Sequence, residues 1–289
     1  MDDRDWCILN ALHKEKNITK AAKTLFISQP ALTKRLQVME AEFGVKIVIR
    51  QSKGIQFTAE GEYLAKCAEE MLNKLETIKE NIINMNGNIC GVLKLGVSKF
   101  FAKSKLPVLL RSFKEKYPNV DFNIITGWSS DIFKLVYNNS VHIAFVRGDF
   151  SWNGRSYLLS KENICIASKN KIDINILPKL PRVSYTSDPI LKNMIDAWWT
   201  ANYSEPPTVS IEVDQSDTCR AMVENGLGYG ILPSALIENS KELNIITLKD
   251  RNNSPLMRHT WMLYQESCLE MNITKAFVNF IEGLDMKAK

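Results

Sequence analysis

Residues 18–44 read ITKAAKTLFISQPALTKRLQVMEAEFG, and their pattern decides the fold of the N-terminal part of the chain. Thr19 stands where a helix N-cap is expected, ahead of a short segment whose Ala21 and Leu25 share one face. Ser28 is the next expected cap, because Pro30 is tolerated only in a first helical turn. At about 100° per residue, Leu32, Leu36 and Met39 fall on one side of a helix over 29–41. Pro30, Thr33, Lys34 and Gln37 fall on the other, with Arg35 on the flank. Phe26-Ile27-Ser28 is the length of the turn in a helix-turn-helix. A helix with an apolar back and a Gln/Thr/Lys/Arg front fits a major groove. Its amides and hydroxyls read base edges, while its cations hold guanines or phosphates.

The flanks extend this reading. Upstream, Trp6, Leu9 and Leu12, with Ile8 beside them, predict a helix over 5–16. Downstream, Gly44 ends the helix, 45–49 reads as a strand, 50–54 as a turn and 55–57 as a returning strand. A basic hairpin there is a wing, with Arg50 and Lys53 placed to meet phosphate or the minor groove. The stretch 14–58 holds nine Lys/Arg against three Glu, and 59–86 three Lys against six Glu. A basic block followed by an acidic one points to a polyanion-binding module. A solvated basic surface over a plain three-helix core accounts for the same pattern, so charge and periodicity alone leave both open.

Ala21-Ala22, Leu25, Ser28 to Thr33, Leu36, Glu40, Phe43-Gly44-Val45, Arg50 and Thr58-Ala59-Glu60-Gly61 resemble, in order and spacing, the LysR-type transcriptional regulators. The motif string covers about sixty residues. The resemblance implies a winged helix-turn-helix on duplex DNA, with the Gln29 to Arg35 stretch as the base-reading element. Together with the face and wing readings, the expected DNA contacts are Gln29, Pro30, Thr33, Lys34, Arg35, Gln37, Arg50 and Lys53. Val48-Ile49 departs from it, since the family usually has Phe and then a polar residue there.

After Thr58 no proline or glycine interrupts 62–85, and Leu64, Ala68, Met71, Leu75, Ile78, Ile82 and Met85 are spaced 4, 3, 4, 3, 4, 3. That is an a/d heptad, the pattern of a two-stranded helix seam, and a core helix of its own domain is the plainer alternative. The resemblance implies a linker helix pairing two DNA-binding heads, with Gly87 to Gly91 as a hinge.

Beyond residue 91 strands and helices alternate, with strands expected at 92–97, 121–126, 142–146, 163–167, 182–185, 209–213 and 259–264. Helices are expected at 104–116, 129–138, 190–199, 219–224 and 273–281. Two such halves resemble the family's effector domain, a two-lobed periplasmic-binding-protein-like α/β fold with a small ligand between lobes. The expected organisation is α+β and α/β multidomain: a DNA-binding domain at 1–58, linker helix and hinge at 59–87, and effector domain at 88–289. Its first lobe is 91–161 plus 265–289 and its second 162–264. Ligands bind such sheets at the carboxyl ends of strands. That rule selects 98–101, 127–130, 146–147 and 185–187, and among them Ser98, Lys99, Phe100, Trp128, Ser129, Arg147 and Thr186 as the effector contacts. Arg147 and the hydroxyls would hold an anionic group, and Phe100 and Trp128 an apolar or planar part. Gly226-Leu227-Gly228-Tyr229-Gly230 follows a helix, which makes it a helix cap and tight crossing rather than a dinucleotide loop. His142 stands where the family usually has Asp, as a satisfied histidine or as a pH sensor.

Of the 289 residues, 45% are apolar and 24% charged, which excludes disordered, collagen-like and fibrous classes. No run reaches the ~18 apolar residues of a membrane span, and the acidic start does not read as a signal peptide, so a cytoplasmic chain is expected. Six scattered cysteines without a C-x-x-C pair read as buried thiols, with a redox-sensing thiol as the alternative. Only His13, His142 and His259 are present, and neither a metal cluster nor a nucleophile elbow is visible. No cofactor, metal or catalytic residue is expected. The expected partners are operator DNA, a small-molecule effector, RNA polymerase and further copies of the chain as homodimer or homotetramer. A solute-binding or enzymatic α/β domain with an accessory helical module is the rival. It would need export or a convergent set of titratable residues.

Overall fold

The computed structural model describes residues 1–51, 54–84, 89–238, 240 and 242–284. They fall into two compact units, 1–88 with 138–140, and 89–137 with 141–289.

In the first unit, α1 (Asp3–Glu15) is capped by Asp2, whose carboxylate accepts from the N–H groups of Arg4 and Asp5. Helix α2 (Ile18–Thr24) is capped by Asn17, not by Thr19. The extended backbone of Asn17 lets its side chain accept from Lys20 N at 3.0 Å, whereas Thr19 is already inside the helix. Helix α3 (Gln29–Phe43) begins at Ser28, as its sequence predicts, and ends at Gly44 with φ +68°. Leu32, Leu36 and Met39 are buried against Leu9 and Leu12 of α1 and Ala21 and Ala22 of α2. Each fully buried leucine contributes about 2 kcal/mol.

Strands β1 (Val48–Gln51) and β2 (Gly54–Phe57) form the antiparallel wing. The first starts three residues later than its apolar run, because the buried Glu40 carboxylate takes the Ile47 N–H at 3.0 Å. Arg50 and Gln51, expected in the turn, instead pair with Ile55 and Gly54. Lys53 lies outside the described residues. At Gly54 φ is +139°, and a Cβ would stand 2.5 Å from the Lys16 carbonyl oxygen, so only glycine lets the wing press on α1.

Helix α4 (Ala59–Asn84) divides the predicted seam. Ala65 and Ala68 are buried in the winged-helix core with Leu64 beside them, while Met71, Ile78 and Ile82 are exposed. Met85 and Gly87 lie outside the described residues.

Arg35 departs from its expected place. Its guanidinium grips the fully buried Asp5 of α1 through two hydrogen bonds, one of 2.8 Å, and reaches Asp2 at 2.8 Å. Burial would push the Asp5 carboxyl up, but the Arg35 hydrogen bonds and charge hold it below the usual carboxylate range.

The second unit opens with β3 (Gly91–Ser98), α5 (Lys99–Ser104) and α6 (Leu106–Lys116). The single helix expected at 104–116 is thus two, broken at Lys105, with Pro107 in the first turn of α6 where its missing N–H is harmless. Then follow β4 (Val120–Gly127), α7 (Ser129–Tyr137), β5 (Ile143–Arg147) and β6 (Arg155–Ser168). After them come β7 (Arg182–Tyr185), α8 (Pro189–Asn202), β8 (Val209–Val213), α9 (Ser216–Glu224) and β9 (Gly230–Pro233). The chain continues through α10 (Ser234–Ile237), β10 (Asn244–Thr247), β11 (Met257–Tyr264) and α11 (Asn272–Gly283).

The main sheet runs β10-β6-β11-β5-β3-β4, with β9 also on β6. Strands β3, β4 and β5 are parallel, and β11 returns antiparallel between β5 and β6. The return strand therefore pairs with the first lobe, although 162–264 was expected to form the second. Strand β6 was expected only from 163. Its first half pairs with β11 and its second with β9 and β10, so it passes unbroken between lobes. Phe113, Phe145 and Phe277 centre one core of the first lobe, and Trp198, Trp199 and Tyr229 one of the second. Gly228, at φ +149°, would place a Cβ 2.4 Å from the Pro181 carbonyl oxygen, the tight crossing its sequence predicts.

His142 is buried, and its Nδ1 accepts from the Lys94 N–H at 3.2 Å. Burial, then the charge of Lys94, pushes its imidazole from 6.5 down to about 4. It is therefore neutral at physiological pH, which removes a sensing role there.

Two expectations follow from these buried groups. Arg35→Ala removes the cation that holds the Asp5 carboxylate, and a urea melt should show a loss of stability. For His142, the unfolded chain takes up a proton near pH 6.5 and the folded chain only near pH 4. Stability is then constant above pH 6.5 and falls as pH drops through that window. His142→Asn, whose side-chain oxygen can replace Nδ1 as acceptor, should flatten the fall when midpoints are compared from pH 7 to 4.5.

Candidate nucleic-acid interface and ligand cleft

The back of α3 is spent on the core, so its front is left to solvent. Gln29, Pro30, Lys34 and Gln37 are exposed and Thr33 is half-buried. Gln29 and Thr33 are one turn apart, and the Gln29 amide donates to Thr33 Oγ1 at 3.0 Å. With Gln37 a turn further on, the face presents amides and a hydroxyl that both donate and accept. Arg35 does not join this face, being committed to Asp5 and Asp2. Arg50 is exposed on β1. The buried Glu40 was not expected in any role. Burial raises its carboxyl, but Lys46 and the N–H groups of Ile47 and Val48 hold it below the usual range, which pins the root of the wing.

In the second unit Ser98, Lys99, Phe100, Trp128, Ser129, Arg147 and Thr186 border one cavity of about 530 Å³. They come from the ends of β3, β4 and β5 in the main sheet and of β7, which pairs with β8 in a separate two-stranded sheet. Lys99 Nζ sits 4.7 Å from the Trp128 ring centre, and the Arg147 guanidinium 4.1 Å from that of Phe100. Ser129 Oγ accepts from the Arg147 backbone N–H at 3.0 Å.

The floor is charge-matched, contrary to the expectation for Arg147. Its buried guanidinium donates from Nε to Glu162 Oε1 at 3.0 Å. Beside it, buried Arg258 pairs with buried Asp188, which also caps α8 by accepting from Leu191 N at 3.1 Å. Asp188 thus answers both a guanidinium and a helix N-terminus. Among the described residues, Ser98 Oγ and Tyr185 OH are buried without a hydrogen-bond partner. Burial pushes the Tyr185 phenol up, so it stays neutral. At the mouth, Lys103 of α5 meets Asp217 of α9 at 2.5 Å, joining the two lobes through exposed side chains. The strand-end rule reaches Tyr185 at the end of β7, whereas Asp188 and Arg258 carry no local sequence signal for the cleft. Tyr185 and Asp188 flank Thr186, but Arg258 lies 70 residues from its partner.

Among the described residues no group of three or more His, Cys, Asp and Glu side chains could hold a metal ion. No helix there is long and apolar enough to cross a membrane.

Comparison with known proteins agrees with this arrangement. Residues 4–62 match the family of bacterial regulatory helix-turn-helix proteins of the LysR type, and residues 86–285 match the LysR substrate-binding domain. The chain is 42% identical to the uncharacterised HTH-type transcriptional regulator YraN of Bacillus subtilis, over 99% of each chain. It is 37% identical to YkuM of the same organism, over 96% of this chain and 95% of that one. In fold it resembles full-length CbnR in complex with its target DNA, with a TM-score of 0.64, 18% identity and coverage of 98% and 99%. A full-length OxyR variant from Pseudomonas aeruginosa gives a TM-score of 0.69 at 17% identity, covering 99% and 96%. With a helix-turn-helix head and a two-lobed substrate-binding domain both matched, the chain belongs to the LysR family of transcriptional regulators, which bind DNA and are not enzymes.

Proposed function

We propose that the Gln29–Gln37 face of α3 reads operator DNA and that the interlobe cavity holds the effector which alters operator affinity. The observation that carries the second half is the convergence of four strand ends on one 530 Å³ space. The exposed Met71, Ile78 and Ile82 of α4 support a dimer of heads through that helix, since an apolar stripe in water favours a partner helix. The effector domains then extend it to a tetramer. A cytoplasmic regulator that contacts RNA polymerase at the promoter fits the same reading.

The cleft's chemistry narrows the effector. The buried guanidiniums of Arg147 and Arg258 already carry carboxylate partners, so an added anion on the floor would be uncompensated. Ser98 and Tyr185 offer neutral hydroxyls, while Phe100 and Trp128 offer rings. The effector is accordingly a planar or apolar molecule with an uncharged polar group inside. Any anionic group it carries sits at the mouth, beside Lys99.

The DNA half is tested with the full-length chain and a duplex from upstream of its own gene. Gln29→Ala or Thr33→Ala should cost about 1–3 kcal/mol at one base pair and leave the salt slope unchanged. Arg50→Ala should weaken all sequences alike and flatten the slope by about one unit. Unaltered discrimination in both α3 variants would remove the groove assignment.

The effector half is tested by thermal shift against a metabolite panel, since a ligand at a hundred times its Kd stabilises by about 2.7 kcal/mol. Ser98→Ala and Phe100→Ala should keep basal operator affinity and lose the shift. Arg147→Ala should instead lower stability with or without ligand, because it strands Glu162. A shift that survives in both Ser98→Ala and Phe100→Ala would place the effector elsewhere.

A further inference from the structure

The turn between α2 and α3 holds an aromatic residue that the protein itself does not use. Phe26 is 97% exposed and has φ +55°. It terminates α2, with its N–H on the Lys23 carbonyl at 3.1 Å and the Ile27 N–H on the Ala22 carbonyl at 3.0 Å. That is the helix-ending arrangement in which the left-handed residue is usually glycine or asparagine, because a side chain there crowds the backbone. The chain carries a phenylalanine instead and holds its ring in water. A disfavoured backbone and an unburied ring together gain nothing inside the fold, so the ring's contact lies outside it.

Its neighbours say what that contact is. Phe26 immediately precedes Ile27, itself partly exposed, and Ser28, the cap of α3. Gln29 and Pro30 follow at the same end of the helix, and Lys23 is exposed one turn before. In a helix-turn-helix the N-terminal end of the second helix enters the major groove, so the turn stands against the groove wall. The apolar feature displayed there is the thymine C5-methyl group, a known partner of phenylalanine. Resting on the reading of α3 given above, we infer that Phe26 is a specificity residue packing on thymine methyls at the edge of the operator half-site.

The test uses the full-length chain and the duplex it selects from a random-sequence pool. Phe26→Asn suits a left-handed backbone, so its melting temperature should hold or rise. Its affinity for the selected duplex should fall about tenfold, the lower end of what a bidentate base contact is worth. The slope of affinity against salt should not change, because no cation is removed. Phe26→Tyr keeps the ring and should bind like the parent. Replacing the half-site's edge thymines with deoxyuridine should weaken the parent and leave Phe26→Asn unaffected. Parental affinity in Phe26→Asn, or no response to deoxyuridine, overturns the inference. Full operator binding with lost promoter output would also overturn it, in favour of a protein partner such as RNA polymerase. If the parent selects no duplex at all, the DNA reading of α3 fails together with it.

Discussion

The antiparallel pairing of β6 with β11 carries the effector domain. Its ladder runs from Arg155 opposite Tyr264 to Asn163 opposite Met257, with one irregularity at Thr260 and Trp261. Strand β11 continues into the first lobe through β5, and β6 into the second through β9 and β10. Both walls of the cleft therefore hang from one two-stranded spine. Backbone hydrogen bonds make such a spine stiff along its strands, while Lys103 and Asp217 join the cleft mouth through exposed side chains.

Buried charge gathers where the spine crosses between lobes. Glu162 and Arg258 stand opposite each other in the ladder, and Arg147 stands opposite Thr260 on the next strand. Each guanidinium takes a different carboxylate, Glu162 for Arg147 and Asp188 for Arg258. A lone buried charge would cost several kcal/mol, so each guanidinium is held with a carboxylate partner. On the proposed reading, the cleft floor selects by shape and neutral hydrogen bonding. The DNA-binding head follows the same economy of charge. Arg35 ties α3 to α1, and that leaves the solvent-facing side of α3 to Gln29, Thr33 and Gln37 with Lys34.

Much of this was legible along the chain. The 3.6-residue spacing of Leu32, Leu36 and Met39 specifies which side of α3 is buried, and Ser28 and Gly44 specify its ends. The strand–helix alternation specifies an α/β unit with converging strand ends, which is why the residues chosen there border one cavity. Where local signals compete, the reading slipped. Asn17 and Thr19 are both good caps, and only the backbone path chooses between them. The heptad of α4 is continuous in sequence, yet Ala68 packs on its own head while Ile78 and Ile82 remain open.

Local spacing did not mark the short β9, α10 and β10 or the break between α5 and α6. What the sequence determined by itself, then, is the identity and buried side of the strongly patterned elements and the family to which the chain belongs. These depend on residues a few positions apart, whose spacing maps directly onto helix turns and strand pleats. Which charged group faces which was decided only by the tertiary structure. Arg35 finds Asp5 across 30 residues, Arg147 finds Glu162 across 15, and Arg258 finds Asp188 across 70. Such pairs form where topology brings distant segments together and burial forbids an unmatched charge, and no local pattern encodes either condition.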